Sequence, residues 1–211
     1  MDDTTQHKPP LQGGRLPVHF WPDTPPIWTD GVCVIAVRTE HSQQRDRPRQ
    51  QIRHAVRATL ASLLDIARDA IHLPDAAGST PRVVFDRSVI EMAKPIATVE
   101  NIGYSISHES GLSVAAINLR GAIGIDVMQV QDIADWQAVA DDYLGPDVAR
   151  TLAALAPAQR ANAFASAWTA REAYFKCLGV ALQEWESNPT SGRKLELVLP
   201  DGYFGCIAMP S

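Results

Sequence analysis

One stretch constrains this chain more than any other. From Pro157 to Leu178 it reads as a single long helix, and within it runs Trp168-Thr-Ala-Arg-Glu-Ala-Tyr-Phe-Lys176. On the helical wheel Phe164 and Phe175 share a sector with Trp168, and Glu172 falls about 40° to one side. Glu172 therefore borders a stripe that has to be buried, and Lys176, one turn on, lies further round the same side. Two readings stay open. The pair is an ordinary i,i+4 contact worth roughly a few tenths of a kcal/mol, or it is a carboxylate and an ammonium aimed at an anionic ligand.

Upstream, Ile123-Gly-Ile-Asp-Val-Met128 alternates as a strand does. Ile123, Ile125 and Val127 take one face, Asp126 and Met128 the other. An acid among such neighbours needs a cation or hydrogen-bond donors. It is either a structural aspartate, capping a turn or paired to an arginine, or a ligand. Two separate acids with cations nearby are what a metal-bound phosphate ester requires. Ser105-Ile-Ser107-His108-Glu109 adds a hydroxyl and an imidazole. Successive residues of a strand point to opposite faces, so Ser107 and His108 do not form a nucleophile–base pair. Each can donate to a phosphate oxygen instead, and His108 alone also reads as a structural residue.

Around these motifs the elements recur in a similar order. Val32–Val37 is an apolar run of strand length, expected to be buried on both faces. A helix is expected from about Gln50 to Ala70, with Ile52, Val56, Leu60, Leu63, Leu64 and Ile66 at helical spacing and Arg53 and Arg57 on one flank. Val83–Phe85 and Ile102–His108 read as strands, and Leu112–Asn118 with Ala122–Met128 as a hairpin. Helices around Trp136–Tyr143 and over Pro157–Leu178 precede two closing strands, Lys194–Leu199 and Tyr203–Met209, joined by a Pro200-Asp-Gly202 turn. Residues 1–30 hold six of the fifteen prolines and read as an extended arm. The expected class is α+β: two similar lobes, 31–117 and 118–211, each a small, mainly antiparallel sheet on a long helix, related by a pseudo-twofold.

Composition excludes several classes. The net charge of −5 argues against nucleic-acid binding. No apolar run approaches the roughly 18 residues of a membrane span. The three cysteines, Cys33, Cys177 and Cys206, fit neither a disulfide framework nor a zinc knuckle, and read as small buried hydrophobes. With no basic-then-apolar segment after Met1-Asp-Asp3, a cytoplasmic location is expected. One local charge run stands out: six arginines between Arg38 and Arg57 face only two acids, Glu40 and Asp46. It is a solvated face, or a patch for an anionic ligand or acidic partner.

Taken together, Ala93-Lys94-Pro95 with Tyr104–His108, then Ile123-Gly-Ile-Asp126, then Trp168–Lys176 closely resemble, in order, the motifs of the 4′-phosphopantetheinyl transferases. The match is to the two-lobed, monomeric class of the surfactin-synthetase-activating type, and spans roughly residues 32–209. Arg53-His-Ala-Val-Arg57 looks like the arginine helix of some members. The resemblance implies transfer of the phosphopantetheine arm of coenzyme A to a serine of an apo acyl or peptidyl carrier protein, with release of 3′,5′-ADP. It makes Asp126 and Glu172 ligands of Mg2+ on the diphosphate. Lys94, Ser107, His108 and Arg53 would hold the phosphates of the nucleotide part, with Lys176 at the diphosphate. Asp126, Glu172 and Lys176 are the implied catalytic set. The acidic carrier would dock near Arg45–Arg49 and edges by Arg171.

Two positions depart from the family pattern. Met128 stands where many members have a second acid, and a thioether is no ligand for a hard cation. Arg171 stands where lysine is usual, and arginine cannot serve as a base. These departures support an alternative, a non-catalytic coenzyme A- or carrier-binding protein of the same fold. A structural α+β domain with coincidental motifs is a third reading.

Overall fold

The computed structural model describes residues 14–39, 46–74, 80–87, 89, 101–186 and 192–211. In the first part of the chain come β1 (Arg15–Pro17), β2 (His19–Phe20), β3 (Val32–Arg38), α1 (Asp46–Leu64), β4 (Ile71–His72) and β5 (Val84–Phe85). Then follow β6 (Gly103–Glu109), β7 (Leu112–Asn118) and β8 (Gly124–Gln129). Next are α2 (Trp136–Val139), running into a π turn over Ala140–Leu144, then α3 (Pro146–Ala153) and α4 (Pro157–Leu178). β9 (Arg193–Val198) and β10 (Tyr203–Met209) close the chain. This is a mixed α+β protein. Among the described residues no helix is long and apolar enough to cross a membrane.

A strand apolar on both faces needs cover on both sides, and β3 has it. It lies inside a four-stranded sheet of order β2-β3-β7-β6. Cys33, Ile35 and Val37 point to a core shared with Ile52, Val56 and Leu60 of α1. Val32, Val34 and Ala36 point the other way, against Ile123, Ile125, Leu197 and Ile207 of a second four-stranded sheet, of order β1-β9-β10-β8. The outer face of that sheet carries α4, which contributes Ala173 and Cys177 to a small core with Ala208. The two sheets thus share one apolar interior and each supports one long helix. Helix α1 ends six residues earlier than its apolar spacing suggests, because Asp65 turns the backbone to a positive φ of 53°.

The expected hairpin of Leu112–Asn118 with Ala122–Met128 does not form. β7 pairs on one edge with β3 and on the other with β6, while β8 pairs with β10 in the other sheet. The physical reason is burial. Every residue of β7 is buried, so it is a central strand with no free edge. Stacking lets Ile125 and Val127 of β8, with Ile123 just before it, share a core with Leu112, Val114 and Ala116 of β7. Burying a Val or Ile is worth roughly 1.5–3 kcal/mol, against about 1 kcal/mol net for a hydrogen bond, so face-to-face packing outweighs edge pairing.

The edge of β8 left free by β10 is satisfied in an unusual way. Three alternate residues of β6 reach across and accept from three alternate amides of β8. Ser105 Oγ accepts from Ile125 N at 3.1 Å, Ser107 Oγ from Val127 N at 3.4 Å, and Glu109 Oε2 from Gln129 N at 3.2 Å. Side chains therefore continue the hydrogen bonding between sheets where backbone pairing stops. Part of the proline-rich arm also joins the sheets: β1 runs parallel to β9, and β2 parallel to β3. The three cysteines are free and buried. Burial pushes the Cys33 thiol up to about 12 and Cys206 to about 11, so neither is a nucleophile at neutral pH.

Candidate active site

The glycine of Gly124-Ile-Asp126 has a packing role. A Cβ at Gly124 would collide with the Ala173 carbonyl oxygen and the Cys177 amide of α4. Only glycine lets β8 lie this close to the helix. Two residues on, the strand alternation aims Asp126 at the same helix, one turn beyond Glu172 at Lys176.

Asp126 is buried, and Lys176 Nζ donates to its Oδ1 at 2.7 Å. Ser107 donates its hydroxyl proton to that same oxygen at 2.8 Å, and Lys176 also donates to Ser107 Oγ at 3.3 Å. Three elements, β6, β8 and α4, therefore converge on one carboxylate. Ser107, His108, Asp126, Glu172 and Lys176 line a single cavity of about 350 Å³, together with Glu109, Met128, Trp168 and the apolar Ile106 and Val127. Burial raises the pKa of Glu172, Lys176 opposes that rise, and the Asp126 charge adds to it. Two carboxylates thus face one cavity, held in check by one ammonium.

His108 stands on the opposite face of β6 from Ser107, its Nδ1 2.8 Å from Ser113 Oγ. The enclosed side of the ring loses hydration, and the charges of Arg49, Lys176 and Arg53 act in the same sense, so its pKa lies below the usual histidine value. The charges of Arg49, Arg53 and Lys176 converge on this ring, so the protein supplies positive potential to an anion there. Arg53 is on α1 and reaches the site electrostatically, outside the lining of the cavity. Lys94 and Arg45 lie outside the described residues.

Arg171 is elsewhere. Its guanidinium donates to the carbonyls of Gln183 and Glu184 at 2.8 and 3.0 Å and lies over the Phe175 ring, 5.0 Å from its centroid. It ties the segment after α4 back onto the helix. Glu109 does not figure among the site residues expected from sequence, and Arg49 figured there only at the end of the stretch expected to dock the carrier. Glu109 had a signal, because it lies two residues past Ser107 on the same face of a strand. Arg49 had only the charge run.

The donor set fits a hard divalent cation. Asp126 and Glu172 present carboxylate oxygens to one cavity, and Mg2+ is typically held by one or two carboxylates plus water and substrate phosphates. Among the described residues no cluster of three or more His, Cys, Asp or Glu assembles. The Met128 thioether contributes no ligand for such an ion.

Comparison with known proteins points the same way. Residues 122–198 match the model of the 4′-phosphopantetheinyl transferase superfamily. A 4′-phosphopantetheinyl transferase, HetI of Nostoc sp. strain PCC 7120, is 29% identical over 98 residues. That alignment covers 44% of this chain and 41% of the relative. From β8 to the end of β9, the part that holds both acids and Lys176, this chain is similar to the 4′-phosphopantetheinyl transferase superfamily.

Proposed function

We propose that this protein transfers the 4′-phosphopantetheine arm of coenzyme A to a serine hydroxyl of an apo carrier protein, acyl or peptidyl, and releases 3′,5′-ADP. The observation that carries the reading is the convergence of Asp126, Glu172 and Lys176 on one cavity beside Ser107 and His108. In this reading residues 31–117 supply the nucleotide side and residues 118–211 the metal side, and the chain acts as a monomer.

Asp126 and Glu172 would hold Mg2+, which when bound neutralises charge on the diphosphate oxygens. The serine oxygen forms a bond to phosphorus as the bond from phosphorus to the 3′,5′-ADP oxygen breaks. The serine proton has to leave at the same time, and Glu172 would share in taking it as well as holding the cation. Lys176 Nζ lies 2.7 Å from Asp126 Oδ1 and would stabilise negative charge on the departing phosphate. His108 and Arg53 would orient the nucleotide phosphates, with Lys94 as a further phosphate contact. The exposed Arg47 and Arg49 at the start of α1 offer positive charge to an acidic carrier.

The test is direct. The protein is mixed with coenzyme A, Mg2+ and either an apo acyl carrier protein or an apo peptidyl carrier domain, and the carrier is weighed by intact-mass spectrometry. One added phosphopantetheine, abolished by a chelator, is expected. Met128 on the cavity rim favours a second reading, a binding protein without transfer. Coenzyme A bound with no gain in carrier mass would select it.

A further inference from the structure

Ser107 has one proton and two lone pairs, and all three are engaged. The proton goes to Asp126 Oδ1, and the oxygen accepts from Val127 N and Lys176 Nζ. The residue is buried and held in register by its neighbours in the β6 ladder, Ser105 and Glu109. A phosphate oxygen accepts hydrogen bonds and cannot be served by a hydroxyl whose only proton is already donated. Both cross-element contacts to Asp126, from Ser107 and from Lys176, fall on Oδ1, and neither reaches Oδ2.

We propose that Ser107 is a positioning residue for the cation-binding acid and not a contact to the nucleotide phosphates. By donating to Oδ1 it fixes the rotation of the Asp126 carboxylate and would leave Oδ2 as the oxygen available to the cation. It also sets the distance between Asp126 and Lys176, because it bonds to both. The β6 ladder supplies the rigidity: Ser107 cannot follow a wandering carboxylate while its oxygen is tied to the β8 backbone. The two sheets thereby hold the acid from both sides. This inference rests on the coenzyme A and Mg2+ reading given above.

The experiment separates the roles by measuring coenzyme A binding calorimetrically, once in chelator and once with saturating Mg2+, for the wild type and for Ser107→Ala, Ser107→Cys and Ser107→Thr. A positioning role leaves the chelator affinity of Ser107→Ala within about twofold of wild type. It removes about tenfold of the gain that Mg2+ confers, the size expected for one hydrogen bond to a charged group. Ser107→Thr, which keeps the hydroxyl, restores the gain in part. Ser107→Cys, near in size with a weak donor, loses it as Ser107→Ala does, and serves if the alanine variant does not fold. A tenfold weakening in chelator, with the Mg2+ gain intact, would overturn the proposal and return Ser107 to the phosphates. A wild-type protein that binds no coenzyme A under either condition overturns the functional reading itself, and this inference with it.

Discussion

At the scale of single residues, the site combines groups that stabilise the fold poorly with groups that hold it together. Glu172 belongs to the first kind. Its carboxyl is half-buried beside Asp126, and burial together with that neighbour disfavours its charge. Glu172→Gln keeps the shape and removes the charge. The expected outcome is a higher melting temperature at neutral pH alongside a loss of turnover on the order of a hundredfold or more, the scale of a general base. Coenzyme A affinity should fall much less, and equal losses in turnover and affinity would point to a binding role alone. Arg171 belongs to the second kind. Its two hydrogen bonds to the 183 and 184 carbonyls both leave Nη2 while the guanidinium lies over the Phe175 ring. A lysine ammonium, a point charge on a flexible stem, does not reproduce that combination. Arg171→Lys should lower the melting temperature by a few degrees, equivalent to about 1 kcal/mol, and leave the turnover of folded protein within tenfold of wild type. A larger loss in steady-state assays would place Arg171 in the chemistry after all.

At the scale of elements, the contact between β8 and α4 decides whether the acids meet. The strand brings Asp126, the helix brings Glu172 and Lys176, and Gly124 sets the gap between them. Gly124→Ala forces a methyl into the backbone of α4 at Ala173 and Cys177. Neither is a flexible side chain that can swing away. The expected cost is about 1–3 kcal/mol, read as a lower urea midpoint, with turnover reduced further because Asp126 moves away from Lys176. Wild-type stability in that variant would mean that the helix shifts without penalty. The β6 side-chain ladder is the counterpart on the other edge of β8, where Ser105, Ser107 and Glu109 do what a neighbouring strand would do with its carbonyls.

For the whole molecule, stability depends on pH through two imidazoles, His19, which is buried, and His108, which is exposed at the site. His19 on β2 is buried, its Nε2 has no hydrogen-bond partner, and burial lowers its pKa from 6.5. His108 is lowered as well. Well above pH 6.5 both are neutral folded or unfolded, and their contribution is complete. As pH falls, the unfolded chain takes up protons that the folded chain refuses, so stability is lost on approach to the lowered folded values. Urea midpoints should therefore drop between about pH 7.5 and pH 5.5, a window that brackets the ordinary histidine value. His19→Gln should flatten part of that drop, and an identical drop in the variant would rule His19 out. The two sheets respond together because residues 15–20 add an edge strand to each.

Much of this was legible in the letters, for a reason of stereochemistry. A period of two put Asp126 and Met128 on the face opposite Ile125, and a period of 3.6 put Glu172 and Lys176 on one side of an aromatic stripe. The apolar run Val32–Val37 announced a strand covered on both faces. These are local properties, set by a few consecutive backbone dihedrals. Which edge each strand pairs with, where the Ser107 proton goes, what the Arg171 guanidinium holds and why residue 124 has to be glycine are not local. Each depends on a partner far along the chain, and hydrogen bonds and contacts act only over a few ångströms. Sequence periodicity determined which face each functional group occupies, and only the packing of β6, β8 and α4 decided which other groups that face would meet.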